Sequence, residues 1–246
     1  MRKFGWQFNL ALLLIASSVL VYVFYYVVFR DADFMAQTGI LDLGFLPISV
    51  LLVTLVLDGL MSRREKLARL NKLNMVIGVF FSEVGTELLE VLSRFSSAAE
   101  LKKELANIRE WSLNDFDQGI RRVKNYDMDL DLRPGDLQAL KERLVEMRDF
   151  LLRLLENPTL LEHESFTELL WAVFHLVEEL RYRPQLLNMR KADHRHLVQD
   201  IERVYALLII QWLEYMKHLK LNYGYMFSLD VRINPFDPEA RPEVGE

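Results

Sequence analysis

Residues 45–91 constrain the fold of this chain more than any other stretch, because they join an apolar run to a basic one. Residues 45–61 are almost entirely apolar, and residues 63–72 then carry five basic side chains and one acidic side chain. This order is typical of a helix that leaves a membrane on the cytoplasmic side, where basic residues concentrate. No proline occurs between 66 and 91, and apolar residues recur every three or four positions. We therefore expect the first helix of a cytosolic domain to be continuous with a membrane span.

An earlier apolar run predicts a second membrane-spanning helix and hence a hairpin. Residues 8–29 contain no charged side chain, and a helix of that length extends about 33 Å, enough to cross the hydrocarbon core. The other span covers residues 40–61, with Asp42 and Asp58 near its ends, where headgroups and water reach carboxylates. Residues 1–61 are therefore predicted to form an N-terminal two-helix transmembrane hairpin.

The charges around the hairpin predict its orientation. Arg2 and Lys3 precede the first span and the basic run follows the second, whereas the loop 30–39 carries Asp31 and Asp33 with a single arginine. Because basic residues stay on the cytoplasmic side, both termini should be cytoplasmic. We expect an integral protein of the plasma or inner membrane.

The basic run at the membrane exit is a candidate contact surface for the lipid bilayer. Each basic side chain near an anionic leaflet contributes about 1 kcal/mol to binding of anionic headgroups. The alternative interpretation is that these residues only fix the topology of the hairpin. The candidate lipid-contact residues are Arg63, Arg64, Lys66, Arg69 and Lys72.

Residues 62–230 predict a cytosolic helical bundle, so the expected fold class is all-α. Residues 137–154 place apolar side chains at alternating three- and four-residue steps, which is typical of an amphipathic helix. The last predicted helix, about 193–223, is apolar on nearly all sides between 205 and 213. A helix of that kind favours a position in the middle of a bundle.

Local signals mark where some of these helices begin and where the domain ends. Ser112 with Asp115, and Ser165 with Glu168, have the spacing of capping boxes, in which the first side chain caps the helix and the second reaches back. Residues 231–246 contain three prolines and are predicted to form an extended or disordered tail.

Small residues on the first cytosolic helix suggest close packing against another helix. Gly78, Ser82 and Gly85 are spaced at i, i+4 and i+7, which predicts a helix-packing stripe.

Three aspartates at alternating positions, Asp127, Asp129 and Asp131, match the first ligand positions of a calcium-binding loop. The required glycine and the final glutamate are missing, so an extended linker with buried apolar residues between the aspartates is the simpler interpretation.

Histidines and carboxylates one turn apart on two predicted helices are the candidate metal ligands. Imidazole and carboxylate are common ligands, but the Glu-x-x-His order of di-iron bundles is absent. Histidines at ordinary helix interfaces are the competing explanation. The candidates are His175, Glu178, Glu179, His196 and Asp200.

Composition excludes several classes of function. The formal net charge of −5 and the absence of a basic face argue against binding of nucleic acid. The chain has no cysteine, which rules out disulfides and thiolate catalysis. None of its ten glycines forms a phosphate-binding loop, so no cofactor is expected.

The expected function is that of a membrane-anchored, non-enzymatic scaffold, sensor or regulatory module. An unidentified protein partner and self-association are both compatible with it. The first alternative is an oligomeric two-span ion channel with Asp31, Asp33 and Asp42 at its mouth, although the loop is short for a selectivity filter. The second is a metal-binding helical-bundle enzyme that depends on the histidines.

Overall fold

A computed structural model describes residues 3–157, 160, 163–186 and 189–243 of the chain. The chain is all-helical, as the sequence predicts, and an isolated antiparallel bridge joins Ser96 to Leu130. It divides into two compact units, Met1–Lys66 and Leu67–Glu246. The helices are α1 (Lys3–Phe29), α2 (Ala32–Phe80), α3 (Thr86–Phe95), α4 (Ala99–Ala106), α5 (Leu113–Lys124), α6 (Pro134–Leu155), α7 (Glu164–Arg181), α8 (Lys191–Asn222) and α9 (Gly224–Arg232).

The turn between α1 and α2 is much shorter than the ten-residue loop expected from the sequence. Only Arg30 and Asp31 separate the two helices. Arg30 adopts a left-handed conformation with φ of 50°, and the Asp31 carboxylate accepts a hydrogen bond from the backbone N–H of Phe34 at 2.9 Å. This bond satisfies a free donor at the start of α2, which is why the helix begins so early.

The first unit exposes most of its described apolar side chains. The most apolar 18 residues of the stretch Ala36–Met61 have a mean hydropathy of 2.4 and none of them is buried, so by length and composition the stretch could cross a membrane. The described apolar part of α1 is shorter, Ile15–Phe29. In the predicted first span, residues 8–29, the side chains of residues 8–11 and 14 lie outside the described part of the structure.

A π-helical turn, Phe81–Gly85, interrupts the helix that the sequence predicts to run unbroken to Val91. The rings of Phe80 and Phe81 are both buried. Phe80 packs edge-on against Phe166, and Phe81 stacks on Tyr215 with ring centroids 5.4 Å apart. A π turn inserts an extra residue, and this changes the direction of the side chains that follow the two rings.

The core of the bundle surrounds α8, which confirms the prediction for the last long helix. Leu208 and Trp212 are buried, together with residues on every side of the segment 204–213. Helices α3, α5, α7 and α9 all pack against α8, and α6 covers α7. The position of α8 fixes the face of α7 that it contacts, and the candidate site lies on that pair of helices.

The segment between α5 and α6 behaves as the linker interpretation predicts. Met128, Leu130 and Leu132 are buried, while the three aspartates between them are exposed. The carboxylates therefore point away from the core, and the calcium-loop interpretation has no support in this arrangement.

Of the two capping boxes predicted from the sequence, the structure confirms one and contradicts the other. Ser112 and Asp115 form a full capping box at the start of α5. In contrast, α7 begins at Glu164 and its cap is His163, whose Nδ1 accepts a hydrogen bond from the N–H of Phe166 at 3.3 Å. The predicted capping box of Ser165 and Glu168 is wrong, because both residues are already inside the helix.

The C-terminal segment packs onto the bundle as far as it is described, so these residues of the tail, expected to be extended or disordered, are ordered. Helix α9 extends to Arg232, and the side chain of Asn234 donates hydrogen bonds to the carbonyls of Leu105 and Ala106 at the end of α4. Phe236 is buried against Trp212. An apolar ring and a satisfied amide hold the tail in place despite its prolines.

Candidate metal centre

Two adjacent helices bring His175, His196 and Asp200 together on one side of the bundle. Helices α7 and α8 pack against each other as antiparallel neighbours. His175 therefore faces Asp200, and Glu179, one turn along α7, faces His196, one turn back along α8. The Asp200 Oδ2 atom lies 3.6 Å from Nε2 of His175 and 3.3 Å from Nε2 of His196.

The three side chains form a compact set of potential ligand atoms. One nitrogen from each imidazole and one carboxylate oxygen all lie within 4.8 Å of one another. The two imidazoles are about half exposed, with side-chain exposures of 50% and 53%. The Asp200 side chain is 5% exposed. The cluster thus combines a buried carboxyl group with two imidazoles that are accessible to solvent.

The buried carboxylate of Asp200 has an unusual environment. No described residue donates a hydrogen bond to its Oδ2 atom. Its other oxygen, Oδ1, lies 3.6 Å from the guanidinium of Arg203, which is largely exposed. Buried polar atoms in proteins are nearly always hydrogen-bonded, so an oxygen that lies between two imidazole nitrogens without a hydrogen bond indicates a site for a cation.

The two glutamates predicted as ligands have other partners. Glu178 accepts hydrogen bonds from Arg148 at 3.0 Å and from Arg181 at 2.7 Å, and these bonds lower the pKa of its carboxyl group. Arg183 forms a hydrogen bond with Glu179 that lowers its pKa. Glu178 therefore lies outside the cluster, whereas Glu179 borders it, with Oε2 at 3.9 Å from Nε2 of His196.

The remaining histidines serve other contacts. His163 caps α7, and the Nε2 atom of His194 is 3.0 Å from the carbonyl oxygen of Leu132. Nδ1 of His218 is within hydrogen-bonding distance of the Asn74 and Asn222 side-chain amides. The pair Glu214 and His218, also one turn apart in the sequence, does not join a cluster of three ligands in the described part of the chain.

The structure describes only part of the predicted lipid-contact run. The side chains of Arg63, Arg64, Lys66 and Arg69 lie outside the described part of the structure, and Lys72 is exposed.

The three small residues of the predicted helix-packing stripe do not share one environment. A Cβ atom on Gly78 would lie 3.2 Å from the Tyr215 hydroxyl of α8, so this glycine does face another helix. Gly85 lies under the rings of Phe80 and Phe81, and Ser82 is exposed. The π turn explains the difference, because it rotates residues after Phe81 away from the α-helical register.

The fold and the site define an all-helical protein with an apolar, exposed N-terminal unit and a bundle that carries a His–His–Asp cluster. The chain belongs to the MJ1433 family. Residues 69–232 match the family model described as "Uncharacterized protein MJ1433, C-terminal helical domain". Residues 2–61 match the model described as "MJ1433, N-terminal helical domain".

A relative from Methanocaldococcus jannaschii, described as "Uncharacterized protein MJ1433", is 47% identical to this chain over 238 residues. The similarity covers 94% of this chain and 93% of that protein. No solved structure matches the chain.

Proposed function

We propose that this protein is a membrane-anchored, non-enzymatic helical module, in which a transmembrane hairpin holds a cytosolic bundle that acts as a scaffold, sensor or regulator. The single observation that carries the proposal is the exposed apolar stretch Ala36–Met61. Contiguous apolar patches on soluble monomers rarely exceed a few hundred Å². A bilayer removes such a surface from water and so gives it a stable environment.

The charge pattern supports the cytosolic placement of the bundle. Five basic residues follow the second predicted span, whereas Asp31 lies in the turn and Asp33 in the first turn of α2. In this arrangement the basic run contacts anionic headgroups of the cytoplasmic leaflet, and the bundle follows it in the chain. Lys72, the described member of the run, has an exposed side chain that is free to make such a contact.

The two-residue turn favours an anchor over a channel. Ion selectivity requires rings of carbonyls or charged side chains that line a constriction. With Arg30 and Asp31 alone between α1 and α2, the chain has little backbone from which to build a filter. The bundle, in contrast, accounts for most of the residues and supplies a folded surface for a protein partner.

The proposal is tested by partition of the full chain between membrane and buffer. Membranes from cells that express the protein are washed with alkaline carbonate and then extracted with a mild detergent. The protein should stay in the washed membranes and appear in the detergent extract, whereas a peripheral control protein is released by the wash. Recovery of the protein as a folded species in the carbonate supernatant would contradict membrane anchoring.

The channel alternative needs a separate measurement. The detergent-extracted protein is examined for its oligomeric state and then reconstituted into planar bilayers. We expect no conductance, because an anchor does not need a closed ring of subunits. Reproducible single-channel currents that change when Asp33 is replaced by asparagine would overturn the anchor proposal in favour of a pore.

A further inference from the structure

We propose that His175, His196 and Asp200 bind a divalent first-row transition-metal ion, with zinc as the best fit. This inference goes beyond the proposed anchor function and does not depend on it. The ligands would be Nε2 of each histidine and Oδ2 of the aspartate. The ion would link α7 to α8 on the surface of the bundle.

The distances between the ligand atoms match a tetrahedral ion. Zinc lies about 2.0–2.2 Å from nitrogen and oxygen ligands, so two ligand atoms on one tetrahedral ion are about 3.4 Å apart. The observed separations from Asp200 Oδ2 are 3.6 Å to His175 and 3.3 Å to His196. The third separation is at most 4.8 Å. Both imidazoles are about half exposed, so rotation about their side-chain torsions can bring the two nitrogens closer together.

The state of Asp200 is a second and independent observation. Its side chain is 95% buried and its Oδ2 atom, the one that faces both imidazoles, accepts no hydrogen bond from any described residue. The guanidinium of Arg203 lies 3.6 Å from the other oxygen, Oδ1, so Oδ2 is the atom that is buried without a hydrogen bond, and burying a polar atom in this state is costly. A metal ion at this position would satisfy the oxygen and compensate the negative charge.

The ligand types select the class of metal. Imidazole nitrogen suits zinc, nickel, copper and iron, whereas magnesium and calcium prefer sites made of oxygen ligands alone. Three protein ligands leave a fourth position, and the exposure of both imidazoles places it toward solvent. Glu179 borders this position, with Arg183 as its hydrogen-bond partner. The fourth ligand is therefore a water molecule or a donor from a partner.

The competing explanation is a simple ion pair, in which protonated histidines neutralise Asp200. Both explanations involve the same three side chains, but they differ in whether the site binds a metal ion. An ion pair has no saturable affinity for zinc. A metal site binds one ion per chain and raises the melting temperature as the metal concentration rises, because the ion binds the native state more tightly than the unfolded chain.

The test uses the full chain, purified in detergent without a polyhistidine tag and stripped of metal with a chelator. Zinc binding is measured by isothermal titration and by elemental analysis after dialysis. We expect one zinc ion per chain, with a rise in melting temperature, and no displacement by excess calcium or magnesium. His175→Ala and His196→Ala should each weaken binding by at least about 10–100-fold, since even outer-shell changes have effects of this size.

The matched control is His194→Ala. This residue lies two positions from His196 on the same helix, but its imidazole contacts the Leu132 carbonyl and lies outside the cluster. His194→Ala should bind zinc as tightly as the native chain. Circular dichroism checks that each variant is folded, and Asp200→Asn provides a third ligand variant of nearly the same shape.

Two results would overturn the metal site. One is the absence of saturable zinc binding by the folded native chain. The other is equal weakening by His194→Ala and by the two ligand variants, which would indicate diffuse binding to surface histidines.

Discussion

Gly85, in the π turn, has no room for a Cβ atom. A Cβ at this position would lie 2.6 Å from Cδ1 of Phe81 and 2.8 Å from Cε1 of Phe80, and both rings are buried. Gly85→Ala should therefore lower the free energy of unfolding by about 1–3 kcal/mol, because neither ring has room to move. Urea denaturation followed by tryptophan fluorescence measures the change.

Gly135→Ala is the matched control for this prediction. Gly135 lies in the first turn of α6, and a Cβ there would have no neighbour within 4 Å. Alanine is the better helix former by up to about 1 kcal/mol, so this variant should be as stable as the native chain or more so. If Gly85→Ala behaves like Gly135→Ala, the π turn does not depend on the glycine.

The sequence could identify individual residues of the candidate metal site but not the site itself. The spacing of His196 and Asp200 along one helix is visible in the chain, because residues four apart share a helix face. The pairing of His175 with Asp200 depends on the register between α7 and α8, which the packing of their apolar faces decides. The neighbouring residues in the sequence do not show that Glu179 borders the cluster whereas Glu178 lies outside it and pairs with Arg148.

At the scale of the element, α8 should be the most sensitive helix of the bundle to loss of apolar volume. Leu208 is fully buried within a segment that is buried on all sides. Leu208→Ala should lower the free energy of unfolding by about 2–5 kcal/mol, from lost burial and from the cavity that remains. Leu221→Ala, at the exposed end of the same helix, should change it by less than about 0.5 kcal/mol. Equal effects in urea denaturation would contradict a central position for α8.

The packing of α9 on α8 should give the bundle a pH dependence through Asp230. Burial raises the pKa of this carboxyl group from 3.8 to about 6, although a hydrogen bond from Tyr215 opposes part of the shift. The folded chain therefore holds the proton more tightly than the unfolded chain. The resulting stability is complete below about pH 4 and is lost as the pH rises through about 6.

Asp230→Asn removes this titration and keeps an acceptor for Tyr215. The variant should be more stable than the native chain above about pH 6, by roughly 1–2 kcal/mol after allowance for partial solvent exposure. The advantage should disappear near pH 4. Thermal denaturation across this range measures it, with Asp127→Asn, an exposed aspartate, as the control. A constant difference between Asp230→Asn and the native chain at all pH values would contradict the assignment to Asp230.

Helix starts show why some elements could be predicted and others could not. The capping box of Ser112 and Asp115 is a local signal, since both partners lie within one turn. The cap of α7 uses an imidazole, which is not a typical capping side chain, so the sequence favours the wrong serine. The π turn depends on the distant rings of Phe166 and Tyr215, and no pattern within residues 80–85 specifies them.

At the scale of the whole molecule, the difference between the two units follows from composition. The first unit places apolar side chains on the outside and the second places them inside, although both are made of helices. The sequence predicts this division because a nearly uncharged stretch is followed by a charge-dense one. It does not predict the packed tail, because the tail is held by residues of other helices, Trp212 against Phe236 and the distant Leu105 carbonyl against Asn234.

The absence of cysteine allows a direct test of the proposed topology. Every single-cysteine variant of this chain has one thiol and no background. In intact cells, Asp33→Cys in the first turn of α2 should react with a membrane-impermeant maleimide if the proposed topology, with this end of the hairpin outside, is correct. Lys72→Cys should react only after the cells are permeabilised, because the proposed topology places the basic run on the cytoplasmic side. Val50→Cys, in the middle of the second span, should react slowly in both conditions, because thiolate does not form in hydrocarbon. Labelling of Lys72→Cys in intact cells would reverse the orientation, and rapid labelling of Val50→Cys in both conditions would show that the stretch does not cross the membrane.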